Sequence, residues 1–311
     1  MKHFRMPFAV GLLFAFALAA VSARAQTPPP VVPAAPDFGK IEITATKIND
    51  NLYMLDGAGG RIGLLVGPDG VLMVDSQYAP LSEKILAAIR RISSGPIRYM
   101  INTHLHGDHT GGNENFGKMG VTIFARDELR QGLAFPVPYV NGITPPVAPA
   151  KALPMVTYRG PLTFHMNGEV VEAIPIPRAH TGGDTLVRFQ NADLLMVGDY
   201  FRLSGYPNID RGNGGSLQGM IAGLGATIGM SGPNTKIVPS HGPTVDRNSV
   251  AEHRDMILVV RDRVKKLIDQ GKTLNEIYAA KVTADYDGKT LQPETTGPRF
   301  VGQVYTDLTA K

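Results

Sequence analysis

Four metal-ligating side chains fall within six residues in His104-Leu105-His106-Gly107-Asp108-His109, directly after Ile97 to Ile101, an apolar run that reads as a strand. Such a turn constrains the fold, because its donors close a coordination shell only if distant parts of the chain reach the same strand end. Alternate residues at a strand end can point the same way, so His104 and His106 suit one ion while Asp108 and His109, on the turning chain, face a second. The chain has eight His, and three of them sit in this hexapeptide. It has no Cys, so any metal must be held by nitrogen and oxygen, a donor set that suits Zn²⁺ and also Mn²⁺ or Fe²⁺. Disulfides are excluded for the same reason.

Three later positions repeat this local logic. His180 follows the strand-like Ile174 to Ala179 and precedes Thr181-Gly182-Gly183-Asp184; Asp199 follows Leu194 to Val197 through Gly198; His241 follows Ile237 to Ser240 and precedes Gly242. Each is a ligand-type residue at a strand terminus beside Gly, where sheet ends commonly build sites. Asp199 would also fit a helix N-cap or turn. Asp75 closes a strand before Ser76 and either orients a ligating imidazole or caps a turn. His165 and His253 lie on periodic elements away from these motifs and read as surface or satisfied structural residues. Tyr139, in a long loop, and Arg202 and Tyr206, soon after Asp199, are candidate substrate contacts. Gly212, Gly214 and Gly215 read as a turn and helix N-cap, since the Lys of a phosphate-cradling loop is missing.

The rest of the chain supplies a frame for such a site. Residues 1–25 have a basic start (Lys2, Arg5), an apolar run from Phe8 to Val21 and a small-x-small ending at Ala23-Arg24-Ala25, the pattern of a signal peptide cleaved before Gln26. The run is shorter than the 17 to 25 residues of a spanning helix, so stable membrane insertion after cleavage is not expected, and a periplasmic or secreted location is. Residues 26–39 are Pro-rich and read as a tether. Removing the leader takes three cations and no acid from a formal charge of +4 and leaves 28 Lys and Arg against 27 Asp and Glu. That balance gives no reason to expect a nucleic-acid partner.

Ile41 to Thr46 alternates at period two, and Arg61 to Val66 and Val71 to Asp75 form a hairpin around Gly67-Pro68-Asp69-Gly70. Leu81 to Ile92 is helical, Val121 to Phe124 a strand, Ala125 to Leu133 a helix and Phe135 to Pro161 a long loop. Four short strands follow within 162–197, then a helix over Ser216 to Met230 and a strand at Lys236 to Val238. The tail over 246–311 reads as a helical extension packed as a cover on the same domain, with a capping box at Thr273-Leu274-Asn275-Glu276. Two sheet-forming halves with helices predict an α/β chain of α/β/β/α layering, its catalytic domain over 40–245.

Over roughly Ile41 to Gly242 the sequence resembles the metallo-β-lactamase superfamily: His104 to His109 stand as its HxHxDH motif, and His180, Asp199 and His241 follow in family order. The resemblance implies an αββα sandwich of two mixed sheets packed face to face with helices outside. It implies one metal on His104, His106 and His180, a second on Asp108, His109 and His241, and Asp199 bridging both. A bridging carboxylate is typical of the glyoxalase II and lactonase branches; lactamases with a Cys ligand are a poorer match. The expected function is an exported, dinuclear zinc-dependent hydrolase of a small acyl substrate, a β-lactam, lactone or ester. Two ions about 3.5 to 4 Å apart share a water and lower its pKa from 15.7 toward about 7 for attack on the acyl carbon. Asp108 is the candidate for taking the proton. Alternatives are a glyoxalase II-like thioesterase, a phosphodiester or sulfate-ester hydrolase, or a non-catalytic metal-binding module. The oligomeric state is not legible.

Overall fold

The computed structural model describes Met1 and residues 36–138 and 144–310, so the expected signal peptide, most of the tether and Tyr139 lie outside the described residues. Strands β1 (Thr44–Lys47), β2 (Leu52–Asp56), β3 (Ile62–Gly67) and β4 (Gly70–Val74) form an antiparallel meander. Helix α1 (Ser82–Ile92) returns the chain to β5 (Ile97–Ile101), parallel to β4. Short helices α2 (Gly107–Thr110) and α3 (Asn113–Lys118) precede β6 (Thr122–Arg126), and α4 (Asp127–Ala134) precedes β7 (Val156–Tyr158). These seven strands make one sheet, in chain order.

The second sheet contains β8 (Leu162–Met166), β9 (Glu169–Pro175), β10 (Thr185–Phe189), β11 (Leu194–Met196) and, after helix α5 (Leu217–Met230), β12 (Lys236–Val238), in the order β12-β11-β10-β9-β8. Four helices finish the chain: α6 (Arg247–Asp269), α7 (Leu274–Ala279), α8 (Ala284–Asp287) and α9 (Pro293–Thr309). None of the described helices is long and apolar enough to cross a membrane.

Both sheets are mixed and both of their faces are buried, which is why β3 and β4 read as continuous apolar runs. Alternate side chains divide between two layers. Leu65, Leu72, Val74 and Ile101 of the first sheet meet Val171, Val187, Phe189 and Met196 of the second. Leu64, Val71, Met73 and Met100 instead face Leu81, Ile85 and Ile89, in and just before α1. On the far side, Leu186, Leu195 and Ile237 pack with Met220 and Leu224 of α5, Ile257 and Val260 of α6 and Phe300 and Val304 of α9. The result is the αββα sandwich, two mixed sheets face to face with helices outside.

Several boundaries differ from the sequence reading. The first strand is Thr44–Lys47, an exposed edge strand, while Ile41 and Ile43 precede it and pack with α1. Strand β2 and the three-residue β7 escaped the periodicity search. Helix α4 starts two residues late, because Ala125 and Arg126 pair with Thr157 and Tyr158 of β7. Helix α9 was hidden by Pro293, Gly297, Pro298 and Gly302, yet Phe300, Val301 and Val304 bury in the core, so tertiary packing overrides weak propensity. The capping box at Thr273 and Glu276 forms as read.

Candidate metal centre

Every ligand-type residue read from the sequence sits at one end of the sandwich, just past a strand or in the loop between two. The chain leaves β5 through Asn102, whose backbone N–H donates to Phe124 O, and Thr103, then turns into α2 with His106 as its N-cap. Asp108 and His109 occupy that helix. His180 lies between β9 and β10, where the Thr181 backbone and hydroxyl both donate to the buried Asp184 carboxylate and set the turn. Asp199 follows β11 through Gly198, whose φ of +56° is a left-handed conformation glycine adopts readily. His241 follows β12.

Seven side chains converge there in three overlapping groups: His104, His106 and His180; His104, His109 and Asp199; Asp108, His109 and His241. His106 Nδ1 is 3.0 Å from His180 Nε2, and His241 Nε2 is 3.0 Å from Asp108 Oδ2. His109 Nε2 stands 3.5 Å from both Asp108 Oδ2 and Asp199 Oδ1, and Asp199 Oδ2 stands 3.5 Å from His241 Nε2. His104 Nε2, His109 Nε2 and Asp199 Oδ1 are buried without any hydrogen-bond partner among the described residues. Leaving such atoms orphaned costs about 1 to 3 kcal/mol each, more if charged, so a group that satisfies all three at once fits, and a divalent cation does. Each of the three groups offers donors for a divalent cation, and Asp199, a member of one, also stands 3.5 Å from His241 of another.

Local electrostatics favours the ligating forms. Burial pushes His104 well below its ordinary value and His180 to about 3, so both stay neutral imidazoles. Burial opposes charge on Asp108 and Asp199, yet the surrounding imidazoles, His109 foremost, outweigh it and hold both carboxyls far below the usual range. Burial likewise disfavours charge on His109, but Asp108 and Asp75 overcome it and raise its pKa. A field that favours a proton between these carboxylates favours a metal cation there too.

A surrounding layer of residues fixes the imidazoles. Asp75, on which the sequence left two readings open, contacts His109: its Oδ2 lies 2.8 Å from Nδ1, while its carboxylate accepts from Thr103 N and Thr103 Oγ1. Asp210 does the same for His106, 2.7 Å from Nε2, and the Asn208 carbonyl lies 2.7 Å from His180 Nδ1. Burial opposes the Asp210 charge, but its bond to His106 holds its pKa at about 2. Gly60 packs flat on His109; a Cβ there would stand 2.2 Å from the ring. Sequence reading missed Asp210, Asn208 and also Tyr78. Tyr78 packs at a tilt against Phe38, and its hydroxyl pKa is raised by burial and then by the Asp108 charge.

Helix α9 reaches this layer. Gln303 Nε2 donates to Asn208 Oδ1, Gln303 Oε1 accepts from Ile209 N, and Asp307 accepts from Leu217 N and pairs with Arg211. The loop carrying the Asn208 carbonyl and Asp210 is thereby tied to the C-terminal helix. Gln303→Ala is expected to weaken divalent-metal binding at the His104–His106–His180 donors by about tenfold, the lower end for outlying partners of metal ligands. Chelator-competition titration checks this; unchanged affinity would show that the tie is not needed.

Two side-chain expectations need correction. Tyr206 is fully buried, stacked on Phe300, its hydroxyl donating to Asp287 Oδ1 and Thr283 O, so it is a core residue and cannot reach substrate. His253 is not exposed: it is buried edge-on against Phe201, its Nε2 has no hydrogen-bond partner among the described residues, and burial lowers its pKa to about 4. Arg202 does stand beside the centre, with Nη1 3.7 Å from Asp199 Oδ2 and Nη2 on Ser204 Oγ. Tyr139 lies outside the described residues. His165 is exposed, and Ser216 caps α5 by accepting from Gly219 N.

Comparison with known proteins follows this geometry. A family profile described as the metallo-beta-lactamase superfamily matches residues 55–241. A linear primary-alkylsulfatase from Pseudomonas sp. (strain ATCC 19151) is 24% identical over 255 residues, 69% of this chain and 48% of that protein. Among solved structures, the inverting sec-alkylsulfatase Pisa1 from Pseudomonas sp. matches with TM-score 0.63 at 17% identity, covering 85% of this chain and 50% of that one. A metallo-beta-lactamase from Pontibacter korlensis matches with TM-score 0.59 at 19% identity, covering 70% of this chain and 99% of that one. The chain thus spans about half the length of the alkylsulfatases it matches.

Proposed function

Because the chain belongs to the metallo-β-lactamase superfamily, we propose that it is an exported hydrolase built around two zinc ions that cleaves a small acyl substrate, a β-lactam, lactone or ester. The observation that carries this reading is the convergence of seven nitrogen- and oxygen-bearing side chains, three of whose atoms are buried with no hydrogen-bond partner among the described residues. Two cations held there would acidify a water and polarise the scissile group. Asp108, at the open side of the centre and 21% exposed, is placed to hold the proton released. Asp199, almost fully buried, would offer one carboxylate oxygen beside His109 and the other beside His241. Arg202, whose Nη1 is 3.7 Å from Asp199 Oδ2, stands where it can orient a charged or carbonyl group of substrate. Export rests on the N-terminal sequence pattern alone.

A second reading is favoured by a specific finding. Both the curated relative and a solved structure covering most of this chain are named alkylsulfatases, which points to a sulfate ester as the alternative scissile bond. Zinc titration of the chelator-stripped protein, followed by turnover against β-lactam, lactone, carboxylic ester, thioester, phosphodiester and alkyl-sulfate substrates, separates these. Two zinc ions per chain and turnover of a carbonyl substrate are expected. Release of sulfate alone would move the assignment to the second reading, and inactivity on all six with two ions bound would overturn both.

A further inference from the structure

We propose that the hollow between α6 and residues 286–290 is a second ligand site, one that takes a carboxylate on an apolar body and signals its occupancy to the metal centre through Arg202. The hollow has a volume of about 550 Å³, within the range of small-molecule sites. Ser249, His253, Met256 and Val259 line it from α6, with Tyr286, Lys289 and Thr290 from the segment beginning in α8. Arg202, Leu203 and Gly205 contribute a third side. The residues that line it include none of the seven side chains of the centre, so it is a separate place in the fold. Arg202 alone touches both, because its Nη1 stands 3.7 Å from Asp199 Oδ2.

The charged groups of the lining divide by exposure. Glu252, Asp255 and Lys289 are exposed at the rim, where the signs are mixed and Asp255 accepts from Arg254. His253 and Met256 are buried, and Arg202 and Tyr286 are half-buried, so the inner part has a cation and apolar surface but no carboxylate. The Ser249 and Thr290 hydroxyls are engaged, donating to Asp246 and to the Tyr286 carbonyl. His253 is the group that packing does not account for. It lies edge-on against Phe201, and its Nε2 is buried without a hydrogen-bond partner among the described residues. A phenylalanine would pack there without the stability cost of an unsatisfied nitrogen. Burial lowers the ring's pKa to about 4, so near pH 7 it is neutral and carries one N–H that a carboxylate can accept.

Arg202 decides the sign of the ligand. Burial and then the Arg202 charge lower the Arg299 guanidinium to about 10, so two like charges crowd this side of the fold. An anion relieves that repulsion and a cation adds to it. Leu203, Met256 and Val259 are then available to cover the apolar body. An anion on Arg202 also competes with Asp199 for the guanidinium. With Arg202 drawn away, Asp199 turns more of its charge toward a cation in the centre, and by linkage a bound cation releases Arg202 to the anion. The two sites should therefore favour each other.

The test uses the full chain, chelator-stripped and then titrated with zinc, with 4-phenylbutyrate as the probe. Inorganic sulfate controls for charge without an apolar body, and 4-phenylbutylamine for the opposite charge. Calorimetry on the metal-free protein should find one phenylbutyrate site per chain, with both controls at least about tenfold weaker. His253→Phe removes the donor and Val259→Trp fills the hollow; each should weaken phenylbutyrate by at least about tenfold, the worth of one hydrogen bond to a charged group, with the circular dichroism of the parent retained. Saturating phenylbutyrate should tighten zinc by about fivefold or more in the parent and leave it unchanged in Val259→Trp. Binding that both variants leave intact, equal binding of sulfate or of the amine, or zinc affinity indifferent to the probe would overturn the proposal. No readout here uses turnover, so such a failure leaves the hydrolase reading where it stands.

Discussion

Asp199→Ala is expected to lower kcat/KM by at least about 10³-fold on whichever substrate the protein turns over, with little change in folded-state content. Losing one electrostatic partner in a water-excluded site typically costs about 10² to 10³ in rate, and Asp199 groups with His104 and His109, each of which also belongs to a second donor group. Its Oδ1 faces His109 and its Oδ2 faces His241, so its removal takes the balancing charge from two imidazoles at once. The metal-free fold also feels the change: the neighbouring imidazoles outweigh burial and hold the Asp199 carboxyl far below its usual range, so deleting it leaves the buried His109 short of a partner. The metal-free melting temperature should therefore fall, while the protein stays folded at the assay temperature and activity falls by far more than that destabilisation explains. Asp199→Asn, which keeps the volume, should show the same loss. Activity within tenfold of the parent in both variants, or full activity of the parent after verified chelation, would remove the proposed role of this centre.

The convergence of these seven side chains was legible because each carries its own local signature: a ligand-type residue, a strand before it and Gly nearby. Their orienting partners carry none. His106 meets Asp210 across 104 residues and His180 meets the carbonyl of Asn208, a group every residue possesses, so nothing in composition or spacing marks either. Asp75 was noticed only for its place at a strand end, which fits a turn equally well. Tyr206 failed for the converse reason: nearness to Asp199 in sequence suggested nearness to substrate, but the chain dives into the α6–α9 core between them. The same separation explains α9, whose helical state comes from Phe300, Val301 and Val304 docking on the core rather than from its own residues. Layer order was readable because alternation and apolar runs report burial directly; partners across layers were not.

Placing the C-terminal helix in contact with the loop of Asn208 also changes what the extension is for. A cover packed on a sheet would tolerate any apolar face. Gln303 and Asp307 instead spend polar groups on the backbone of Ile209 and Leu217, one of them beside the residues that hold His106 and His180. Stability and site geometry are therefore coupled through one helix, and substitutions on its inner face should be felt in metal affinity as well as in melting temperature.

Asp75→Asn provides the sharpest separation of fold from site. Asp75 is held at φ +65°, a left-handed conformation that costs a non-glycine residue about 1 to 3 kcal/mol, and its three hydrogen-bonding contacts offset that strain. Oδ1 accepts from Thr103 N at 2.7 Å, a donor that stays in place whatever residue stands at 75. An asparagine must therefore turn its carbonyl oxygen to Thr103 N and its NH₂ to the position of Oδ2, against His109 Nδ1. There it can only donate, which demands the His109 tautomer with its proton on Nε2, the atom that faces Asp108 and Asp199. The imidazole would present N–H where a lone pair is needed. Zinc at the Asp108–His109–His241 donors should weaken by about 10- to 100-fold or more, the His104–His106–His180 donors should keep their affinity, and the fold should persist because Asn also tolerates left-handed backbone. Two-site zinc titration with circular dichroism reads both. Two tight sites in the variant would show that Asp75 does not set the His109 tautomer, and loss of both together would mean that the two donor groups act as one cooperative unit rather than as separable sites.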